Sequence, residues 1–232
     1  MRIEKLWNQH KGADVWVIGT GPSMRVFPHA VYRDKITIGL NQAWRYGPMT
    51  YSLTVHPELY LEYVKEGSKF ETQWLVKKKP PMEGLSLDHP ELYVFNTSES
   101  LDVIKHPTRD TLFLGKGIHC TAMALAAQMG AANVFVVGCD ACQLGGDHHG
   151  HAQHVRYHGL APEQVFAEYR KHAARVRRVI RESLGVNVVT VSPFVGLGHA
   201  DEDYNRLVLE HGLPKLPKPK DTSPYKRRRP DL

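Results

Sequence analysis

Short apolar runs that each stop at a glycine or a polar residue most narrow what this chain can fold into. Asp14-Val-Trp-Val-Ile-Gly19, Asn133-Val-Phe-Val-Val-Gly138 and Val186-Asn-Val-Val-Thr-Val191 are rich in β-branched residues. Their apolar positions are nearly continuous rather than alternating, the pattern of strands buried on both faces of a parallel sheet. Lys35-Ile-Thr-Ile-Gly-Leu-Asn41, Tyr51-Ser-Leu-Thr-Val-His56, Leu92-Tyr-Val-Phe95 and the short Leu112-Phe-Leu114 read as further strands. Gly19-Thr-Gly-Pro-Ser-Met24 is a small-residue turn leading into a short helix. Residues 117–130 form a helix of small and apolar residues, stopped by Gly130. Pro162–Leu184 forms a long helix, with proline suited to its first turn and Gly185 ending it. Val165, Phe166, Tyr169, Ala173, Val176 and Ile180 fall at helical spacing along it.

Strands that alternate with helices predict an α/β fold: a Rossmann-like, mostly parallel sheet flanked by helices. A chain of 232 residues with 42% hydrophobic content supports one core. The expected organisation is a single domain over 1–211. Residues 65–90, which include Lys77-Lys-Lys-Pro-Pro81, read as irregular, a lid or insertion. No apolar run is long enough for a membrane span, and Met1-Arg-Ile-Glu-Lys5 leads into polar sequence. The expectation is therefore a cytoplasmic protein. Three cysteines do not make a disulfide framework.

The formal charge of +6 is concentrated at one end. Residues 212–232 carry Lys215, Lys218, Lys220, Lys226, Arg227, Arg228 and Arg229 against Asp221 and Asp231, seven minus two, or +5. With prolines at 214, 217, 219, 224 and 230, this stretch has too little apolar surface to offset its ordering entropy and reads as a flexible basic C-terminal tail. It either solubilises the chain or contacts nucleic acid, acidic lipid or a partner.

In open α/β sheets ligands bind beyond the carboxyl ends of strands. The residues delivered there are Gly19-Thr-Gly-Pro-Ser23, Asn41-Gln42, His56, Asp140 with the histidines after it, and Ser192-Pro193. The glycine turn is expected to bring backbone amides to an anionic group, although it lacks the third glycine of a dinucleotide fingerprint and the Lys of a P-loop. Gly138–His158 packs five histidines, two cysteines and two aspartates into twenty-one residues. Cys139-Asp-Ala-Cys142 has CxxC spacing, but a zinc site needs two more well-spaced ligands and a redox pair usually opens a helix. Asp147, His148, His149, His151 and His154 are candidate ligands for magnesium, manganese or zinc, candidate phosphate or acceptor contacts, or a solvated loop. Asp140 is either a metal or acceptor residue or a helix or turn cap. His56 and His119 read as structural.

The ordered set Val17-Ile-Gly-Thr-Gly-Pro-Ser-Met24, Ile38-Gly-Leu-Asn-Gln42, Gly115-Lys-Gly-Ile-His-Cys-Thr-Ala-Met-Ala-Leu125, Val136-Val-Gly-Cys-Asp140 and His158-Gly159 resembles the bacterial sialyltransferases of glycosyltransferase family 42. It also resembles the related family called domain of unknown function 115, which includes a pterin diphosphokinase. The likeness covers about residues 13–195, with the middle unaligned. It implies a GT-A-like, sialyltransferase-like fold and a transferase that moves a sugar from a nucleotide-activated donor to a hydroxyl on a glycan, small molecule or modified DNA.

By that resemblance Gly19, Thr20, Gly21, Pro22, Ser23, Asn41, Gln42, Gly117 and Ser192 bind the nucleotide. Thr20 stands where the family usually has asparagine. Two family tyrosines that hold the leaving phosphate fall near Cys142 and His148. Cys142 cannot do a tyrosine's work, whereas histidine can donate to a phosphate oxygen. The family's general base, a histidine before the long helix, matches His158, and a histidine pKa near neutrality suits that task. His148, Arg156 and Tyr157 could stabilise the phosphate. Asp140 completes the candidate catalytic set with His158 and His148. The alternatives are a pterin-type diphosphokinase using ATP and magnesium, and a nucleic-acid-modifying or nucleic-acid-binding protein acting through the tail. No cofactor is required with certainty, and a homo-oligomer is among the candidate states.

Overall fold

A computed structural model of the chain describes residues 1–25, 27, 29–67, 71–78, 92–141 and 162–191. Eight parallel strands form its sheet: β1 (Asp14–Ile18), β2 (Ile36–Leu40), β3 (Tyr51–Thr54), β4 (Gln73–Lys77), β5 (Leu92–Ser98), β6 (Thr111–Phe113), β7 (Asn133–Val137) and β8 (Asn187–Val191). Among the described residues, four α-helices accompany them: α1 (Pro57–Glu66), α2 (Asp102–Lys105), α3 (Ile118–Gln128) and α4 (Pro162–Leu184). Short 3₁₀ helices include Pro22–Arg25, His29–Val31 and Ala43–Tyr46.

The strand order is β6-β5-β4-β3-β2-β1-β7-β8. From β1 the chain works outward to β6, then returns to the other side of β1 through α3. The direction of winding therefore reverses between β1 and β7. A crevice opens at such a reversal because the connections leaving the two neighbouring strands diverge.

Strand residues alternate between faces, and the register lines them up across the sheet. Val15 pairs with Val134, which pairs with Val188. These residues join Val17, Ile38, Leu40, Leu53 and Leu75 in a core closed by α3 and the buried side of α4. Trp16, Phe135 and Val189 line up on the opposite face, as do Ile18, Val137 and Val191. Trp16 and Phe135 stack with ring centroids 4.8 Å apart. α4 buries Phe166, Ala173, Val176 and Ile180, the stripe its sequence spacing predicts. Its neighbour α3 is buried on all sides, which its small side chains permit.

The irregular reading of 65–90 is corrected at β4. This strand lies between β3 and β5, with Trp74, Leu75 and Val76 buried. Residues 79–91 lie outside the described residues. α1 was also absent from the sequence reading. It starts at Pro57 and ends at Gly67, whose φ of 59° is the left-handed geometry of a helix stop.

Candidate functional site

The carboxyl ends of β1 and β7 lie side by side where the winding reverses, and the glycine turn after β1 is locked to the segment after β7. The Gly19 amide donates to the Val137 carbonyl at 2.7 Å, and the Gly21 amide to the Gly138 carbonyl at 2.6 Å. The Ser23 amide donates to Asp140 Oδ2 at 2.8 Å, and Ser23 Oγ to Asp140 Oδ1 at 2.7 Å. A Cβ on Gly21 would lie 2.5 Å from Asp140 Oδ2 and 2.6 Å from the Gly138 oxygen, so only glycine lets the two segments come this close. Gly138 itself has φ of 67°.

This geometry changes the role of the turn. The amides of Gly19, Gly21 and Ser23 are committed inside the protein, and Pro22 has none. The expectation that this turn presents backbone amides to an anion is therefore not met at these three residues. An anion bound there would need donors other than these three amides.

Asp140 is buried, with both oxygens accepting from Ser23. Burial raises its carboxyl pKa, and the two Ser23 bonds pull it back down. Asp140 thus ties down the backbone and hydroxyl of Ser23. The pair joins residues 117 positions apart in the chain.

Asn41 ends β2 with φ of 52°, a conformation asparagine tolerates better than most residues. Its amide donates to the Leu53 carbonyl, and its Oδ1 accepts from Thr54 Oγ1 at 3.1 Å. Gln42 diverges from it. Gln42 Nε2 donates to both Glu62 oxygens, at 3.0 and 2.9 Å, tying the end of β2 to α1. His56 caps no helix by its side chain and sits exposed, 3.3 Å from Glu58 Oε1.

Gly117, with φ of 88°, stands at the N-cap of α3. Because α3 runs from the end of β6 back to the start of β7, its N-terminus lies at the same edge of the sheet as the crevice. A Cβ on Gly117 would meet the His119 ring at 2.7 Å. His119 is buried against Tyr169 of α4, edge to face at 6.0 Å. Burial, with His172 nearby, lowers its pKa to about 4, against a smaller opposing effect of a backbone hydrogen bond to Tyr169. It is a neutral packing residue at neutral pH, as its sequence context suggested.

Cys139 packs against the Gly19 backbone. Burial first, then Asp140 and Cys120, push its thiol well above the ordinary value, and burial pushes Cys120 up to about 12. Thiols held neutral in this way are poor nucleophiles. Among the described residues no three His, Cys, Asp or Glu side chains converge to hold a metal ion. Asp147, His148, His149, His151, His154, Arg156, Tyr157, His158, Ser192 and Cys142 lie outside the described residues, as does the tail.

The sequence reading missed a cluster beside the glycine turn. Arg25 ends the 3₁₀ helix that follows the turn and is exposed. Tyr46 ends the 3₁₀ helix that follows Asn41-Gln42. The His29 ring meets Tyr46 edge to face at 5.2 Å and lies 5.9 Å from Tyr32. No periodicity marks these residues. Their only sequence signal is position, a few residues past a strand end.

No family model and no curated protein sequence matches the chain. Solved structures similar to it in fold include two of the sialyltransferase CstII from Campylobacter jejuni. The complex with the substrate analogue cytidine-5'-monophosphate aligns with a TM-score of 0.51 at 13% identity, over 79% of this chain and 81% of that one. The complex with CMP-3FNeuAc aligns with a TM-score of 0.45 at 10% identity, over 88% and 86%. The fold of this chain is thus the parallel α/β fold seen in a sialyltransferase.

Proposed function

We propose that the chain is a sialyltransferase-like glycosyltransferase that takes a nucleotide-activated sugar and transfers the sugar to a hydroxyl acceptor. The observation that carries this reading is the clamp at the β1–β7 reversal. There Gly19–Ser23 is clamped to Gly138–Asp140, and Asn41 is held in a left-handed conformation at the next strand end. A crevice at this place suits a nucleotide. The similar fold binds cytidine monophosphate as a substrate analogue, which supports a nucleotide as the donor's handle. His158 is assigned as the general base, and His148, Arg156 and Tyr157 as further groups for the leaving phosphate.

The test is a panel of nucleotide sugars, with product followed by mass spectrometry and binding by thermal shift. One or more donors should raise the melting temperature. His158→Ala should abolish transfer while leaving donor binding in place. If no nucleotide sugar binds and ATP with magnesium does, the diphosphokinase reading replaces this one.

A further inference from the structure

The committed amides of the glycine turn pose a question that the cluster beside it answers. A nucleotide brings at least one phosphate into the crevice, and a buried or half-buried phosphate requires donors and, most effectively, a cation. Gly19, Gly21 and Ser23 spend their amides on Val137, Gly138 and Asp140. Ser23 Oγ is spent on Asp140 as well.

Two side chains at the same edge have the required chemistry. Arg25 sits two residues beyond Ser23, on the 3₁₀ helix that the Ser23–Asp140 pair anchors, and its side chain reaches solvent. Tyr46 approaches from the β2 side. Its ring packs against the apolar cluster that includes Met24 and Ala43, and the edge-on His29 ring fixes it further. His29 is itself placed by a 3.3 Å contact between Nε2 and the Met24 carbonyl. The Tyr46 hydroxyl is within electrostatic reach of both Arg25 and Asp140. Burial dominates and pushes its pKa up to about 12, with Arg25 pulling it down and Asp140 pushing it up. At neutral pH it is therefore a protonated donor.

We infer that Arg25 and Tyr46, rather than the backbone of the glycine turn, hold the phosphate of the bound nucleotide, forming a side-chain phosphate site at the carboxyl ends of β1 and β2. The inference rests on the nucleotide reading above. Arg25 supplies the charge and a planar donor pair, Tyr46 a neutral donor, and the Ser23–Asp140 clamp anchors the 3₁₀ helix that ends in Arg25. The negative charge of Asp140 is met by two hydrogen bonds before any ligand arrives.

Isothermal titration calorimetry of the full chain with the four common ribonucleosides, their 5′-monophosphates and inorganic pyrophosphate decides the matter. The wild type should bind one monophosphate more tightly than its nucleoside. Arg25→Gln should weaken that monophosphate by roughly tenfold to a hundredfold, the range of a charge-assisted hydrogen bond. Tyr46→Phe should weaken it by roughly fivefold, as loss of a neutral one would. Nucleoside affinity should be unchanged in both, and Arg33→Gln, which removes an exposed charge elsewhere, should change nothing. If a monophosphate binds and both variants hold it as tightly as the wild type, the inference is overturned and the nucleotide reading stands. If pyrophosphate binds in an Arg25-dependent way and no nucleotide does, the phosphate site stands and the nucleotide reading falls. If none of the probes binds the wild type, both are wrong.

Discussion

The two faces of the sheet are covered by different kinds of structure. Over Val15, Val17, Val134 and Val136 lie α3 and the apolar stripe of α4, regular helices that close a continuous core. Over Trp16, Ile18, Phe135 and Val137 the described cover is made of short 3₁₀ turns carrying Met24, Val31 and Ala43, with Phe27 and Tyr32 beside them. A regular helix satisfies most of its own backbone and can be buried on every side, as α3 is. Short 3₁₀ turns satisfy fewer of their own groups and depend on side-chain contacts for their shape. Arg25, His29 and Tyr46 stand at the ends of those turns, beside the crevice. The helical face holds the fold together, and the 3₁₀ face carries the groups that could meet a ligand.

That division can be broken by experiment. The largest effect is expected from Leu125→Ala in α3, fully buried on the helical face. It should cost about 3 kcal/mol in urea unfolding, the sum of lost transfer energy and a cavity. Donor affinity of the protein that remains folded should not change. An accompanying loss of affinity would show that the two faces are coupled.

Next is the pH response of His119, on the same helical face. Its folded pKa of about 4 lies below the ordinary 6.5, so the unfolded chain takes up a proton before the native protein does. The stability this residue contributes is complete above pH 6.5 and is lost as pH falls through that value towards 4. The full loss is roughly 3 kcal/mol. His119→Gln should flatten the slope of unfolding free energy against pH in that window. An unchanged slope would mean that the histidine is not held neutral.

The smallest effect on stability should come from Gly21→Ala, on the site's side of the division. The added methyl would press on the Gly138 carbonyl and Asp140 Oδ2. It should cost about 2 kcal/mol, less than the cavity in α3. Unlike that cavity, it should also lower donor affinity, because the turn can no longer close on Asp140. Retained affinity would place the donor elsewhere than this turn.

Where the causes were local, the sequence was legible. The run of α4 from Pro162 to Leu184 followed from a proline start, a glycine stop and apolar residues at helical spacing. β1 and β7 followed from β-branched residues ending in glycine. β4 was missed because Gln73-Trp-Leu-Val-Lys77 is short and runs straight into a basic, proline-rich stretch. Its strand character comes from neighbours on both sides rather than from its own composition. α1 was missed although its cues are local: proline at the first turn, Glu58 near the start, Lys65 near the end and Gly67 after it.

The candidate site divides the same way. The glycine turn, Asn41 and Asp140 were marked by their positions after strands. That Gln42 turns to Glu62, that Asp140 belongs to Ser23, and that Arg25 and Tyr46 share a neighbourhood were not.

The sequence by itself determined that this chain is a parallel α/β protein with small and polar residues at its strand ends, because side-chain shape and hydrophobic period act within a few residues. Which strand ends face each other is a matter of packing between distant segments. The reversal between β1 and β7 depends on strand order, and strand order is set by packing between segments more than a hundred residues apart. The same packing consumed the amides of Gly19, Gly21 and Ser23, and so turned a motif that looked ready to bind an anion through its backbone into a clamp.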